Sequence, residues 1–286
     1  MAKETVIVVG LGEIGRALFE LLKEEESFTV YGLDLDETKM HAIGQNRSQL
    51  PNKVDTMHVC LPCKNQEIFT DTVASYVKQF KPKLLIINST IPPGTAKKIY
   101  EKCNCLVAHS PIRGVHKNLE YMKWELKRWT KYVGGVDAKA TDVACKHFEK
   151  MNLKVKALKG CTETELAKLF ETTYRAWMIA CFQEMHRISK HFEADFDEVV
   201  DFLEDTHRLR FDRPIMFPGP IGGHCLIQNI ELLLDVYDSE FLRLILKSNE
   251  ERKEEVKDKA IQEEVEKVRN RAETLQRELM EKAEKT

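Results

Sequence analysis

Residues 5–22 restrict the possible folds of this chain more than any other stretch. Thr5 to Val9 is a β-branched run, Gly10-Leu-Gly12-Glu-Ile-Gly15 follows, and Ala17, Leu18, Leu21 and Leu22 then fall at helical spacing. A glycine triplet alone is weak evidence, but between a strand and a helix it has the context of a dinucleotide-binding turn. Gly10 permits the turn, Gly12 lets backbone approach a pyrophosphate, and Gly15 lets helix pack on strand. The N-terminus of the new helix, with Glu13 and Ile14 in its first turn, then faces the phosphates. A second strand, Phe28 to Leu33, ends at Asp34, 19 residues beyond Gly15. A carboxylate there accepts hydrogen bonds from a ribose 2′-hydroxyl and repels a 2′-phosphate, so the expected cofactor is NAD rather than NADP.

The alternation continues along the chain. Apolar runs at 57–61, 84–87 and 105–108 read as buried strands, separated by helical patterns near 37–43, 68–80 and 96–102. A strand at 132–135, a helix near 138–151 and a strand near 155–157 follow. Continuous apolar strands between helices predict a parallel sheet covered on both faces. The strand exits Leu61-Pro62 and Ser89-Thr90 are expected at the cofactor's edge. The expected fold is α/β. An N-terminal Rossmann-type doubly wound sheet spans 1–158, an all-helical domain 159–247, and a charged C-terminal helix 248–286.

Residues 162–192 run without Gly or Pro, and Thr162 with Glu165 has the spacing of a capping box. Apolar residues from Leu166 to Met185 populate more than one face, which predicts burial between domains or between subunits; a homodimer through this helix is the expectation. Beyond Ser248 the chain is mostly charged, yet Ile261, Val265, Val268, Ala272, Leu275 and Leu279 follow heptad spacing. That seam suits a solvated helix, packing on its own subunit, or packing on a partner.

Between the helical stretches lies Pro218-Gly-Pro-Ile-Gly-Gly-His-Cys225, which cannot continue a helix or a central strand. A thiol leaving such a loop into a new apolar run can sit at a helix N-terminus, where thiolate is favoured; otherwise it is a small buried hydrophobe.

Composition narrows the function classes. A net charge of −2 gives no bulk electrostatic case for nucleic acid. No apolar stretch approaches a membrane span and no signal peptide precedes the first strand, so a cytoplasmic protein is expected. The eight cysteines are expected as reduced thiols. Cys60 and Cys63 close one strand while Cys103 and Cys105 open another, at opposite sheet edges, so no metal is expected.

The cysteine loop closely resembles the PGPGVGGHC signature of the UDP-glucose/GDP-mannose dehydrogenase family. Ser89-Thr90-Ile-Pro-Pro-Gly-Thr95 resembles the family's STVPPGT. The stretch Glu165-Leu-Ala-Lys168-Leu-Phe-Glu-Thr172-Thr-Tyr-Arg175 is similar to its ELAKLxxNTYR. The resemblance runs from about residue 5 to 237 and implies an NAD-dependent dehydrogenase acting on a sugar or sugar nucleotide. It implies Cys225 as the nucleophile that captures an aldehyde, Lys168 as the group stabilising oxyanions, and Thr90 as a holder of the hydrolytic water.

The departures bear on the chemistry. Ile112 stands where the family usually has Glu, Thr172 where it has Asn, and Asn229 where its cysteine motif ends in Asp. His109, His116 and His224 lie in the same loops and can serve as bases, His116 and His224 being favoured over His109. Too few residues follow Tyr237 for the family's third, nucleotide-binding domain, so a form lacking that domain is expected. Two other functions fit the same residues. One is a two-electron hydroxy-acid or alcohol dehydrogenase of the wider 6-phosphogluconate-dehydrogenase-like superfamily, with Lys168 moving the proton. The other is a non-catalytic NAD-binding assembly protein.

Overall fold

The computed structural model describes residues 3–114, 117–212, 214–222 and 225–284. The chain divides into two compact units, 1–169 and 170–286, with the division falling inside one long helix.

The first unit is built on a seven-stranded sheet. Its strands are β1 (Glu4–Val9), β2 (Phe28–Leu33), β3 (Thr56–Val59), β4 (Leu84–Ile87), β5 (Leu106–His109), β6 (Lys131–Gly135) and β7 (Val155–Ala157), in the order β2-β1-β3-β4-β5-β6-β7. The helices are α1 (Glu13–Glu24), α2 (Glu37–His41), α3 (Gln66–Phe80), α4 (Thr95–Lys102), α5 (Leu119–Arg128) and α6 (Ala138–Glu149). Val6 to Val9 and Leu84 to Ile87 are almost wholly buried, as strands covered on both faces must be. Because β1 has β2 on one side and β3 on the other, the strand order reverses at β1. The exits of β1 and β3 therefore open a crevice where doubly wound sheets bind ligands.

The sheet differs from the sequence expectation in one step. β6 pairs antiparallel to β5, Ala108 opposite Gly135 and His109 opposite Gly134. A parallel partner requires the connection to cross to the opposite edge. Here the chain leaves β5 and re-enters at the same edge, where the Ser110 hydroxyl donates to the Tyr132 carbonyl at 2.7 Å. The connection holds α5, which sequence periodicity did not mark.

The second unit is helical. It takes the later part of α7 (Cys161–His191), then α8 (Phe196–Arg210), α9 (Leu226–Leu234), α10 (Glu240–Glu255) and α11 (Lys259–Glu284). Val268 and Leu275 of the heptad seam are buried in one cluster with Phe182, Phe196, Val200 and Ile215, and Ala272 and Leu279 pack against it. The seam is thus satisfied within its own chain. Arg271 of α11 forks onto both carboxylate oxygens of Asp197 on α8, at 2.9 and 3.0 Å. On α7, Ala176, Ile179 and Phe182 are buried, whereas Phe170, Tyr174 and Ile188 are exposed. No helix is long and apolar enough to cross a membrane among the described residues.

Candidate functional site

The glycine loop has the geometry its sequence requires. Gly10 has a φ of 92°, which favours glycine, and a Cβ on it would lie 2.6 Å from the Cys60 carbonyl oxygen. A Cβ on Gly15 would lie 1.7 Å from the Gly10 carbonyl oxygen, so only glycine lets α1 start this close to the loop. A Cβ on Gly12 would meet nothing within 4 Å. Gly12 thus faces open space at the N-cap of α1, where amide donors and the helix dipole favour an anion.

Beside it lies an open cleft of about 510 Å³ lined by Leu11, Gly12, Glu13, Arg16, Lys39, Lys117, Asn118 and Leu119. The cations Arg16, Lys39 and Lys117 suit a pyrophosphate; sequence reasoning missed them because α2 and the approach to α5 are brought here only by the fold. Asp34, at the end of β2, accepts from the Leu11 amide at 2.7 Å and the Asp36 amide at 2.9 Å. Its carboxylate is therefore fixed against the glycine loop, with Lys39 3.5 Å away. Ile14 is half-buried in the first turn of α1. These features fit a dinucleotide. Leu61 and Pro62 follow β3, and Ser89 and Thr90 follow β4, all at the same sheet edge.

The exit of β4 is held tightly. Ser89 is buried, and its carbonyl accepts from His109 Nε2 at 3.0 Å. His109 Nδ1 then accepts from the Thr164 hydroxyl at 2.7 Å. Burial pushes His109 down to about 3, so it is neutral and fully engaged, a structural group rather than a base. Glu165 is buried and accepts from the amides of Gly94 and Ala96 at 2.8 and 2.9 Å. Instead of completing a capping box on its own helix, it caps α4 from across the unit. Burial raises its carboxyl to about 7 despite those donors. Lys168 is half-buried on α7, near enough to His109 and Lys131 for its charge to depress both.

The buried histidines set a pH dependence. Their folded-state pKa values lie below the unfolded value of about 6.5, His109 at about 3 and His58 well below its usual value, chiefly through burial. Their contribution to stability is complete above about 6.5 and is lost as pH falls toward 3. Glu165 acts in the opposite sense between about 4.5 and 7, and below 4.5 the lowered carboxylates such as Glu4 add to the fall, so the comparison with His109→Gln isolates the histidine part. The expected result is a urea midpoint that falls between pH 4.5 and 3.5, with a shallower fall in His109→Gln. Equal slopes for the two proteins would contradict this.

In the second unit Cys225 is exposed and is the N-cap residue of α9. One turn on, Asn229 is buried and its side-chain amide donates to the Thr172 hydroxyl at 2.8 Å. Two substituted family positions thus meet directly, and neither takes up a proton near neutral pH. The preceding loop is pinned by groups that sequence reasoning did not single out. Gln183 donates to the Gly219 carbonyl at 2.8 Å, and Asn249 accepts from the Ile221 amide at 2.7 Å. His116 and His224 lie outside the described residues. Ile112 is buried.

No disulfide joins the cysteines. Burial pushes Cys60 and Cys105 up to about 12 and Cys161 to about 11, and raises Cys103 and Cys145. Cys63 is buried, leaving Cys181 and Cys225 as the exposed thiols. Limiting iodoacetamide at neutral pH, followed by peptide mass analysis, should mark Cys225 before Cys181, because of these two exposed thiols only Cys225 lies at a helix N-terminus. Labelling of Cys181 first would contradict it.

Comparison with known proteins gives this arrangement its context. Residues 162–251 match the model described as UDP-glucose/GDP-mannose dehydrogenase family, central domain. Over those residues the chain is similar to the UDP-glucose/GDP-mannose dehydrogenases. It is 28% identical over 260 residues to the UDP-N-acetyl-D-mannosamine dehydrogenase of Methanocaldococcus jannaschii. That match covers 77% of this chain and 59% of the relative, so the chain spans well under two thirds of that relative's length. Its fold is that of UDP-D-ManNAc dehydrogenase from Pyrococcus horikoshii, with a TM-score of 0.70 at 21% identity, covering 86% of this chain and 68% of that one. The 3-hydroxyisobutyrate dehydrogenase of Mycobacterium tuberculosis shares the fold at a TM-score of 0.65 and 17% identity, covering 90% and 95%.

Proposed function

We propose that this chain is an NAD-dependent dehydrogenase that oxidises an alcohol carbon of a sugar nucleotide or smaller sugar derivative, with Cys225 as its nucleophile. The observation that carries the reading is the glycine loop, whose Gly12 faces open space at the N-cap of α1. Separately, the exposed thiol of Cys225 at the N-cap of α9 supports the nucleophile. Gly10, Gly12, Gly15 and the first turn of α1 would hold the pyrophosphate, and Asp34 the ribose. Leu61, Pro62, Ser89 and Thr90 would line the nicotinamide end. NAD, when bound, supplies the hydride acceptor.

The chain's residues supply the rest. Cys225 Sγ, as thiolate, forms a bond to the aldehyde carbon while the carbonyl π-electrons move to oxygen. Lys168 donates a hydrogen bond to that oxyanion. Thr90 would hold the water that later attacks. No carboxylate stands at positions 112 or 229, and general acid–base groups typically contribute about 10²–10⁴-fold each. Hydrolysis should therefore lag behind oxidation, and the reaction should stall at the aldehyde or thioester stage. The neutral Thr172–Asn229 pair also favours a second reading, a two-electron oxidation with Lys168 moving the proton. One NADH per substrate, with no enzyme-bound thioester, would select that reading.

The exposed Phe170, Tyr174 and Ile188 support a homodimer through α7, in a reducing cytoplasm. Light scattering should find a dimer at micromolar concentration, and a monomer would overturn it. Calorimetry tests the cofactor: NAD should bind more tightly than NADP, and Asp34→Ala should narrow the difference. Equal affinities in the native protein would refute it.

A further inference from the structure

Lys131 opens β6, yet only 5% of it is exposed. Its ammonium donates to the carbonyls of Ser110 at 2.6 Å and Pro111 at 3.3 Å, and to Asn88 Oδ1 at 3.5 Å, with the Phe148 ring 5.1 Å away. Ser110 and Pro111 begin the exit loop of β5, and Asn88 begins the exit loop of β4. One cation thus clips together two loops that define the crevice edge.

Behind it runs a buried chain whose directions follow from the donors. The Asn88 amide nitrogen donates to His58 Nδ1 at 3.2 Å, so the His58 proton is on Nε2 and is donated to His147 Nε2 at 2.8 Å. His147 then carries its proton on Nδ1 and donates to Glu4 at 2.8 Å. Lys150 and Thr56 complete the Glu4 carboxylate, which is held well below its usual pKa. From Lys131 to Glu4 each donor points the same way, from a buried cation to an anion at the start of β1. Such aligned hydrogen bonds polarise and strengthen one another in a low-dielectric interior.

We infer that Lys131 is a positioning residue that, anchored through Asn88, His58 and His147 to Glu4, fixes the β4 and β5 exit loops in the geometry that accepts the cofactor. The inference rests on the proposed NAD site, since Ser89 and Thr90 directly follow Asn88. Burial beside Lys168 and Arg113 lowers its ammonium to about 7, opposed by Cys60. Only a close set of acceptors justifies placing a lysine there.

Hydrogen exchange and calorimetry on the full chain test it. Charge-assisted hydrogen bonds are strong, so Lys131→Met should raise amide exchange in peptides covering 86–92 and 107–114 by about tenfold or more, with α8 to α11 unchanged. NAD affinity should fall by about tenfold, with partial recovery in Lys131→Arg, which retains the donors. Val73→Ala, a buried apolar truncation on α3, is the control for simple destabilisation and should leave NAD affinity unchanged. If Lys131→Met does not fold, Asn88→Ala cuts one link and should show a smaller rise in the same peptides. Unchanged exchange there, or full NAD affinity in a folded Lys131→Met, would overturn the inference. Failure of the native protein to bind NAD would instead refute the proposed function, leaving the exchange result to judge the clamp.

Discussion

Replacing Gly15 by alanine should abolish measurable NAD binding and destabilise the first unit by at least the roughly 1–3 kcal/mol typical of overpacking. The added Cβ would lie 1.7 Å from the Gly10 carbonyl oxygen. That atom is backbone, in a turn whose own φ of 92° leaves little room to adjust. The adjacent substitution should behave differently. Gly12→Ala meets nothing within 4 Å, so its melting temperature should match the native protein. Its methyl group would instead occupy the space a pyrophosphate needs, and a loss of about 1.4 kcal/mol in binding corresponds to tenfold in affinity. Calorimetry with NAD and a thermal melt on both variants separate the effects. Equal behaviour of the two variants would contradict the assignment.

Arg252→Ala should lower the stability of the second unit by about 3 kcal/mol, the lower end of the range for breaking a buried ion pair. Arg252 is fully buried, donates to the Gln183 carbonyl at 2.9 Å and to His186 Nδ1 at 3.2 Å, and pairs with Glu255 at 3.1 Å. His186 passes the connection to Glu264 of α11 at 2.8 Å, so one guanidinium ties α10, α7 and α11. Glu255 retains some access to water, which places the cost at the lower end. Arg252→Met fills the space without the donors and should lose less. A urea midpoint for the alanine variant equal to that of the native protein would show that the tie contributes nothing.

The elements that could be read directly from the sequence are those defined by local spacing. The glycine loop, the apolar strands β1 to β5 and the heptad seam of α11 each carry a periodic or turn signal of their own. The antiparallel return of β6 and the presence of α5 were not legible, because both depend on where the 110–130 connection re-enters the sheet. The same applies to the crevice. Gly12 and Asp34 announce themselves, whereas Arg16 and Lys117 line the cleft only once α1 and the approach to α5 are adjacent. His58, His147, Asn88 and Lys131 look ordinary in sequence, and the partners that link them into the clamp stand 20 to 143 residues away. Glu165 misleads for a related reason: its spacing from Thr162 fits a local cap, but its carboxylate reaches the amides of α4.

The most direct measurement is NADH formation by the intact protein with NAD and a panel of sugar nucleotides, sugar phosphates and hydroxy acids, followed by absorbance. NADH should appear with a sugar-derived alcohol, should fail to reach two equivalents per substrate without a lag or trapped intermediate, and should lose its second equivalent in Cys225→Ala. Two equivalents released without lag would contradict the stalled hydrolysis. Absence of NADH with every class, together with no binding of NAD, would contradict the account at its centre.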